Sequence, residues 1–191
     1  DTKPDIMCCQ EIKTRCPLNT PGYEQFWNHS QERGKSGTLI LAKQPPLSWS
    51  AGFGIDRFDC EGRLITLEYK DYYIINVYVP SIHPHSAPDR PGFRLDWDTA
   101  LCEYIAKLPK PVVLCEDLNA TLAYIDSYPD NSKNEPDDPL FRSEVRDGLK
   151  KLLSVGLVDA FRVLHPNKEG AYTWWEPKNK NRSENRGSRL D

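Results

Sequence analysis

The sequence predicts an α/β sandwich, two packed sheets with helices on their outer faces. Three observations predict it. Short strand-like runs recur along the chain, two stripes at helical spacing lie between them, and no internal repeat divides the 191 residues. That length suits one domain, residues 1–191, with a sizeable core.

The elements follow in order. "PDIMCC" (4–9) reads as a short buried strand running into Gln10, Glu11 and Lys13, and "GTLILA" (37–42) as a second. "GRLITLEY" (62–69) alternates apolar and polar residues. "YYIINVYVP" (72–80) follows after a tight Lys70-Asp71 turn, so the two form a hairpin. Phe93, Trp97, Leu101, Tyr104/Ile105 and Leu108 recur at helical spacing until Pro109 stops the helix. "PVVLC" (111–115) is a continuous apolar strand, expected to be buried on both faces. Val145, Leu149, Leu152 and Leu153 form the second helical stripe, with Ser143 placed to cap its start and Gly156 its end. "AYTWW" (171–175) is a sixth strand candidate.

Composition narrows the class. Hydrophobic residues make up 38% and charged residues 28%, a soluble globular balance. No apolar run approaches a membrane span, and the first residues do not form a signal peptide. The six cysteines lack CxxC spacing, which argues against zinc; Cys8, Cys9 and Cys115 fall in strands as small hydrophobes. A reducing, intracellular compartment is expected, with no disulfide framework. The net charge of -3 does not itself point to nucleic acid. The stretch from Glu176 to Arg189 does carry Lys178, Lys180, Arg182, Arg186 and Arg189 against two acids. It reads either as a solvated loop or as a loop that contacts phosphate. Residues 126–139 and 81–92 are long polar loops; His83 and His85 in the latter read as exposed rather than as metal ligands.

Polar residues at strand ends carry the chemistry. In "VVLCEDLNA" (112–120) an apolar run stops at Glu116, Asp117 and Asn119. Asp and Asn suit turns, so this alone decides little. Yet Glu11 follows "IMCCQ", Tyr78 sits near the end of "IINVYVP", and Asp191 follows "GSRL". Strand ends of a sandwich gather at one rim, where such side chains can bind a hard cation or move a proton.

Several motifs also resemble, in order, the exonuclease III family of abasic-site endonucleases, within the endonuclease/exonuclease/phosphatase superfamily. They are "PDIMCCQEIK", "SGTLIL", "EGRLITLEY", "VYVPS", "LCEDLNA", "NSKN", "GLVDAFRVLHP", "GAYTWW" and "RSENRGSRLD". The resemblance implies a four-layered αββα sandwich, here incomplete at both ends. It implies a monomeric Mg2+-dependent (or Mn2+-dependent) phosphodiesterase of base-excision repair. Its substrate would be double-stranded DNA, cut 5′ to abasic sites or trimmed at 3′ ends. No membrane is involved, and the compartment is cytoplasmic in a bacterium or nuclear in a eukaryote. Glu11 matches the metal-binding glutamate, and Asp117 the carboxylate that activates or orients water. Asn119 matches its partner near the scissile phosphate, Tyr78 the active-site tyrosine, and Asp191 the aspartate that orients a catalytic histidine. Asn131 and Asn134 match loop asparagines at the DNA, and Lys13, Arg182, Asn185 and Arg189 fall on the implied substrate-binding face.

The chain departs from the pattern too. It lacks the leading "W-N-x-N-G-x-R" strand and the closing "S-D-H" with its histidine, so weak or no catalysis is expected of these 191 residues alone. Glu116 stands for the usual glycine, Ser81 for an asparagine, and Ser188 for a tryptophan that walls the abasic-sugar pocket. An impaired DNA-binding homologue, or a phosphodiesterase acting on RNA or another phosphate ester, are the competing readings.

Overall fold

The structure, a computed structural model, describes residues 2–82, 90–129, 142–177 and 181–191. It falls into two compact units, Asp1–Val79 with Lys107–Asp117, and Pro80–Ala106 with Leu118–Asp191.

The first unit holds both sheets. β1 (Ile6–Cys9), β2 (Glu24–Asn28) and β3 (Thr38–Ala42) form an antiparallel sheet in the order β1-β3-β2. β4 (Ser48–Ala51), β5 (Leu64–Glu68), β6 (Tyr73–Tyr78) and β7 (Val112–Asp117) form the second sheet in chain order, with a short helix, α1 (Asp56–Asp59), between β4 and β5. β4 to β6 pair antiparallel and β6–β7 parallel, which requires the long crossover between them. The expected hairpin is present: the Tyr69 N–H donates to the Tyr72 carbonyl at 2.9 Å across Lys70-Asp71. Phe26, Ile40, Ala42, Ile65, Leu67 and Ile74 fill the space between the sheets, with Ile6, Cys8 and Tyr69 against them.

Sequence and structure differ at five strands for physical reasons. β1 is not the buried strand expected: it lies at the edge of its sheet, with Met7 42% exposed. β2 ("EQFWN") and β4 ("SWSA") were invisible because each edge strand shows too few inward apolar residues to mark a period. β7 runs on through Glu116 and Asp117, and it is not buried on both faces: it is an edge strand of its sheet, with Val113 49% exposed. "AYTWW" forms only an isolated bridge, Trp174 to Ser188.

In the second unit, α2 (Arg90–Ala106) buries Arg94, Trp97, Asp98, Leu101 and Ile105, and α3 (Ser143–Ser154) buries Val145, Leu149 and Leu152. Both predicted stripes therefore face inward. α3 approaches α2 closely at Gly148, where a Cβ would meet Asp98 Oδ2 at 2.8 Å. Ser143 does not cap α3. It lies in the first turn, and Arg142 holds the cap position without a side-chain bond. Gly156 does end the helix, at φ 103, with its N–H on the Leu153 carbonyl at 3.2 Å. α4 (Ala160–Leu164) is capped by the Asp159 side chain. Among the described residues, no helix is long and apolar enough to cross a membrane.

One irregularity in the first sheet sets up the site. β1 pairs with β3 up to Cys9↔Leu39, and the next backbone bond is Ile12 N–H to the Gly37 carbonyl at 3.0 Å. The β1 side thus carries one more residue than its partner, a bulge, and Glu11 within it adopts φ 54. Gly37 permits the bulge: its φ is +90, and a Cβ there would lie 2.5 Å from the Ile12 carbonyl oxygen. Gly37→Ala should cost about 1–3 kcal/mol, read as a fall in the urea midpoint, because backbone strain and a backbone clash add. Gly34→Ala is the control; it has φ +76 with open space around the new methyl, and should lose only about 1 kcal/mol. Equal losses would remove the clash from the explanation.

Candidate active site

Side chains alternate along a strand, so Ile74, Asn76 and Tyr78 share one face of β6. Register sets Cys115 beside Asn76 and Asp117 beside Tyr78 on β7. This face looks toward the first sheet. Ile74 joins the core cluster, the Asn76 Nδ2 donates to the Cys9 and Leu39 carbonyls at 3.0 Å each, and Cys115 shares a hydrogen bond with Cys8. That bond pulls the Cys115 thiol down to about 7 while pushing Cys8 up. One strand face thus passes from core to buried amide to phenol at the rim.

At the rim the Tyr78 hydroxyl donates to Glu11 Oε1 at 2.8 Å, and Lys13 Nζ lies 3.5 Å from the same oxygen. The Glu11 side chain is about half exposed, 52%. Beneath Tyr78, the buried Arg63 guanidinium sits 4.6 Å from the ring centroid and donates to the Tyr78 carbonyl at 2.9 Å. Glu61 and Ser36 hold Arg63 in place. Burial pushes the Tyr78 phenol well above its ordinary value; the hydrogen bond to Glu11 and the charges of Glu11 and Asp117 push the same way, against Arg63. The phenol therefore stays neutral and remains a donor. Glu116 occupies the opposite face of β7, in register with Val77, so it points away from the face that carries Asp117.

In the second unit, Asn119 takes φ 49 in the turn after β7. The Leu118 N–H donates to the Leu190 carbonyl at 2.8 Å, which sets the Asn119 turn alongside the segment ending at Asp191. The Thr173 hydroxyl accepts from the Leu190 N–H at 3.0 Å and the Asp191 N–H at 3.3 Å. Arg189 turns inward: its guanidinium reaches Asp126 Oδ1 at 2.9 Å and also Asp159, while Arg162 reaches the same Asp126 oxygen. Arg182 lies 5.3 Å from the Trp175 ring centroid. Asn185 accepts from Trp175 Nε1 at 3.2 Å and donates to the Gly170 carbonyl at 2.9 Å. Ser188, at the tryptophan position, is fully buried with its Oγ 2.5 Å from Ser127 Oγ. Asn131, Asn134, His83, His85, Lys178 and Lys180 lie outside the described residues.

The structure brings Glu11, Lys13, Tyr78 and Asp117 to one rim of the first unit. Sequence reasoning passed over Arg63, Gln10 and Asn76, which hold that rim from behind. Their signals were an arginine opening an apolar strand and an amide inside "IINVYVP". A divalent cation suits this rim. The described residues contain no group of three or more His, Cys, Asp or Glu able to cage an ion. Among the described residues both partners of Glu11 sit on Oε1, so this exposed carboxylate suits a divalent cation that takes few protein oxygens and completes its shell with water and phosphate.

The raised Tyr78 makes stability pH-dependent. In the unfolded chain the phenol ionises near pH ~10, whereas in the folded chain it holds its proton beyond that. Its contribution is therefore fully present below about pH 10 and is lost as pH rises through the folded value. Urea midpoints measured from about pH 8 to about pH 11 should fall for the wild type, with a shallower fall for Tyr78→Phe. Parallel curves would mean Tyr78 titrates as an exposed tyrosine.

The chain is similar to known proteins along its whole length. The Endonuclease/Exonuclease/phosphatase family profile matches residues 1–191. The chain is 37% identical over 192 residues to an exodeoxyribonuclease of Bacillus subtilis, covering 98% of this chain and 75% of that protein. It is 37% identical to a DNA-(apurinic or apyrimidinic site) endonuclease of Dictyostelium discoideum, covering 98% of this chain but 54% of that protein. Thus it spans about half to three quarters of these two relatives. Among solved structures, an AP endonuclease from Archaeoglobus fulgidus superposes with a TM-score of 0.82 at 29% identity, covering 99% of this chain and 75% of that one. A 3′ phosphatase from Neisseria bound to a product DNA hairpin gives a TM-score of 0.85 at 25% identity, covering 100% and 76%. The chain belongs to the Endonuclease/Exonuclease/phosphatase family.

Proposed function

We propose that the chain, as one domain, is a divalent-cation-dependent DNA phosphodiesterase of base-excision repair that cuts 5′ to abasic sites and trims 3′ ends. The observation that carries this reading is the meeting of Glu11, Tyr78 and Asp117 on the rim of the packed sheets. Relatives named exodeoxyribonuclease and abasic-site endonuclease support the DNA substrate. The six unbridged cysteines support a reducing intracellular compartment.

The residues divide the work by chemical type. A phosphodiester repels a nucleophile, and charge grows on its leaving oxygen. The Glu11 carboxylate would hold Mg2+ or Mn2+, and the bound cation would supply charge neutralisation at the phosphate. Asp117, on a rigid strand end, would accept a proton from the attacking water. The neutral Tyr78 hydroxyl and the Asn119 amide would donate to phosphoryl oxygens as charge develops. Asp191 would orient a proton-carrying partner, and Lys13 and Arg182 would contact the DNA backbone, as would Asn131, Asn134 and Asn185. Arg189 would contribute by holding the segment before Asp191, through Asp126 and Asp159.

One observation favours 3′-end processing over abasic-site incision as the stronger activity. Ser188 is buried against Ser127 and presents no ring to wall an abasic sugar. The likeness to a 3′ phosphatase bound to DNA points the same way.

The test is single-turnover cleavage, with protein in excess because only weak catalysis is expected of these 191 residues alone, of a duplex carrying an internal abasic analogue and of one ending in a 3′ phosphate. Both reactions should require Mg2+ and stop with chelator, and the 3′ end should react faster. Asp117→Ala should lower both rates by about 10²–10⁴-fold without loss of folding. Chelator-resistant cleavage, or an Asp117→Ala rate equal to wild type, would sink the reading.

A further inference from the structure

We propose that Asn76 and Gln10 form a positioning relay for Glu11, in which a buried amide fixes the bulged end of β1 so that the carboxylate meets its divalent cation in place. The inference rests on the reading of Glu11 as the cation ligand. Asn76 is 0% exposed, between apolar residues that are themselves buried, Ile75 at 0% and Val77 at 0%. A branched hydrocarbon would pack there without desolvating an amide. The amide is engaged on both ends: Nδ2 donates to the Cys9 and Leu39 carbonyls at 3.0 Å each, and Oδ1 accepts from Gln10 Nε2 at 2.7 Å. Two of those three bonds go to the two residues directly before Glu11.

Glu11 needs such support. Its φ of 54 is unfavourable for a residue with a Cβ and persists only where the surroundings enforce it. Behind it stand the Asn76 bonds to Cys9 and Gln10, and ahead of it the Ile12 N–H bond to Gly37. Ahead of the chemistry, its own side chain has only Tyr78 and Lys13, on one oxygen, among the described residues. Tyr78 lies two residues beyond Asn76 on the same face of β6. The relay therefore ties the ligand and the phenol to one strand. Outer-shell amides of this kind orient a metal ligand without touching the metal.

The experiment measures Mn2+ binding to the whole 191-residue chain by calorimetry, together with hydrogen exchange of the Glu11 and Ile12 amides in the metal-free protein. Glu11→Gln should abolish specific Mn2+ binding. Gln10→Leu leaves both carbonyl bonds of Asn76 intact but strips its buried Oδ1 of a donor, so the protein should stay folded with a lowered melting midpoint; Mn2+ affinity should fall about 10-fold and the two amides should exchange faster. Asn76→Leu should weaken Mn2+ binding further. If it fails to fold, Gln10→Leu decides alone. Mn2+ affinity and exchange in Gln10→Leu within twofold of wild type, with Glu11→Gln still defective, overturns the relay and leaves the cation reading intact. Wild-type affinity in Glu11→Gln, or no Mn2+ binding by the wild type, overturns both.

Discussion

The period of two along β6 is the constraint on which the rest of the site depends. Because Ile74, Asn76 and Tyr78 share a face, the strand that closes the core between the sheets also delivers a phenol to the rim. A slip of one residue would turn Tyr78 and Asp117 away from Glu11 and bury Glu116 in their place. The core therefore fixes the chemistry's register, and Asn76 resists sliding because its bonds reach across to Cys9 and Leu39 on the other sheet. Apolar packing tolerates small shifts; directional bonds from a buried amide do not.

Charges in this protein divide by burial, and the division separates architecture from chemistry. Asp126 is almost fully buried and answers two arginines, Arg162 and Arg189, while Asp159 takes the second side of Arg189. Arg94 and Asp98 form a buried pair one helical turn apart on α2. Such groups are charge-paired with one another, and removing one partner would leave a buried charge uncompensated. Glu11 is the contrast. It is half exposed, and its neighbours Lys13 and Tyr78 offer only a 3.5 Å ion pair and one hydrogen bond. A carboxylate held loosely at its tip and firmly at its backbone has room to take an incoming cation.

Much of this was legible in the sequence, and the losses have causes. The hairpin of β5 and β6, strands β1, β3 and β7, and the buried stripes of α2 and α3 all declared themselves through apolar period. β2 and β4 did not, since "EQFWN" and "SWSA" break their apolar residues with polar ones and offer neither a period nor an apolar run to read. "AYTWW" misled because aromatic, β-branched composition describes a surface that packs, and here it packs through a single bridge to Ser188. Among the site residues, Glu11, Tyr78 and Asp117 were visible as polar ends of apolar runs. The bulge that aims Glu11 was not, because it depends on Gly37, far off in sequence and meaningful only once β3 is paired.

Glu116 shows how far strand geometry decides the meaning of a substitution. In sequence it is an acid beside Asp117 that could alter metal affinity, repel the phosphate or simply point away. In the strand, adjacency means the opposite face: Glu116 stands with Val77, whereas Asp117 stands with Tyr78. Ser188 makes the converse case. It looks like a small change in a motif, but its side chain turns inward, buried against Ser127. Both substitutions take their meaning from strand face and burial rather than from the motif they interrupt.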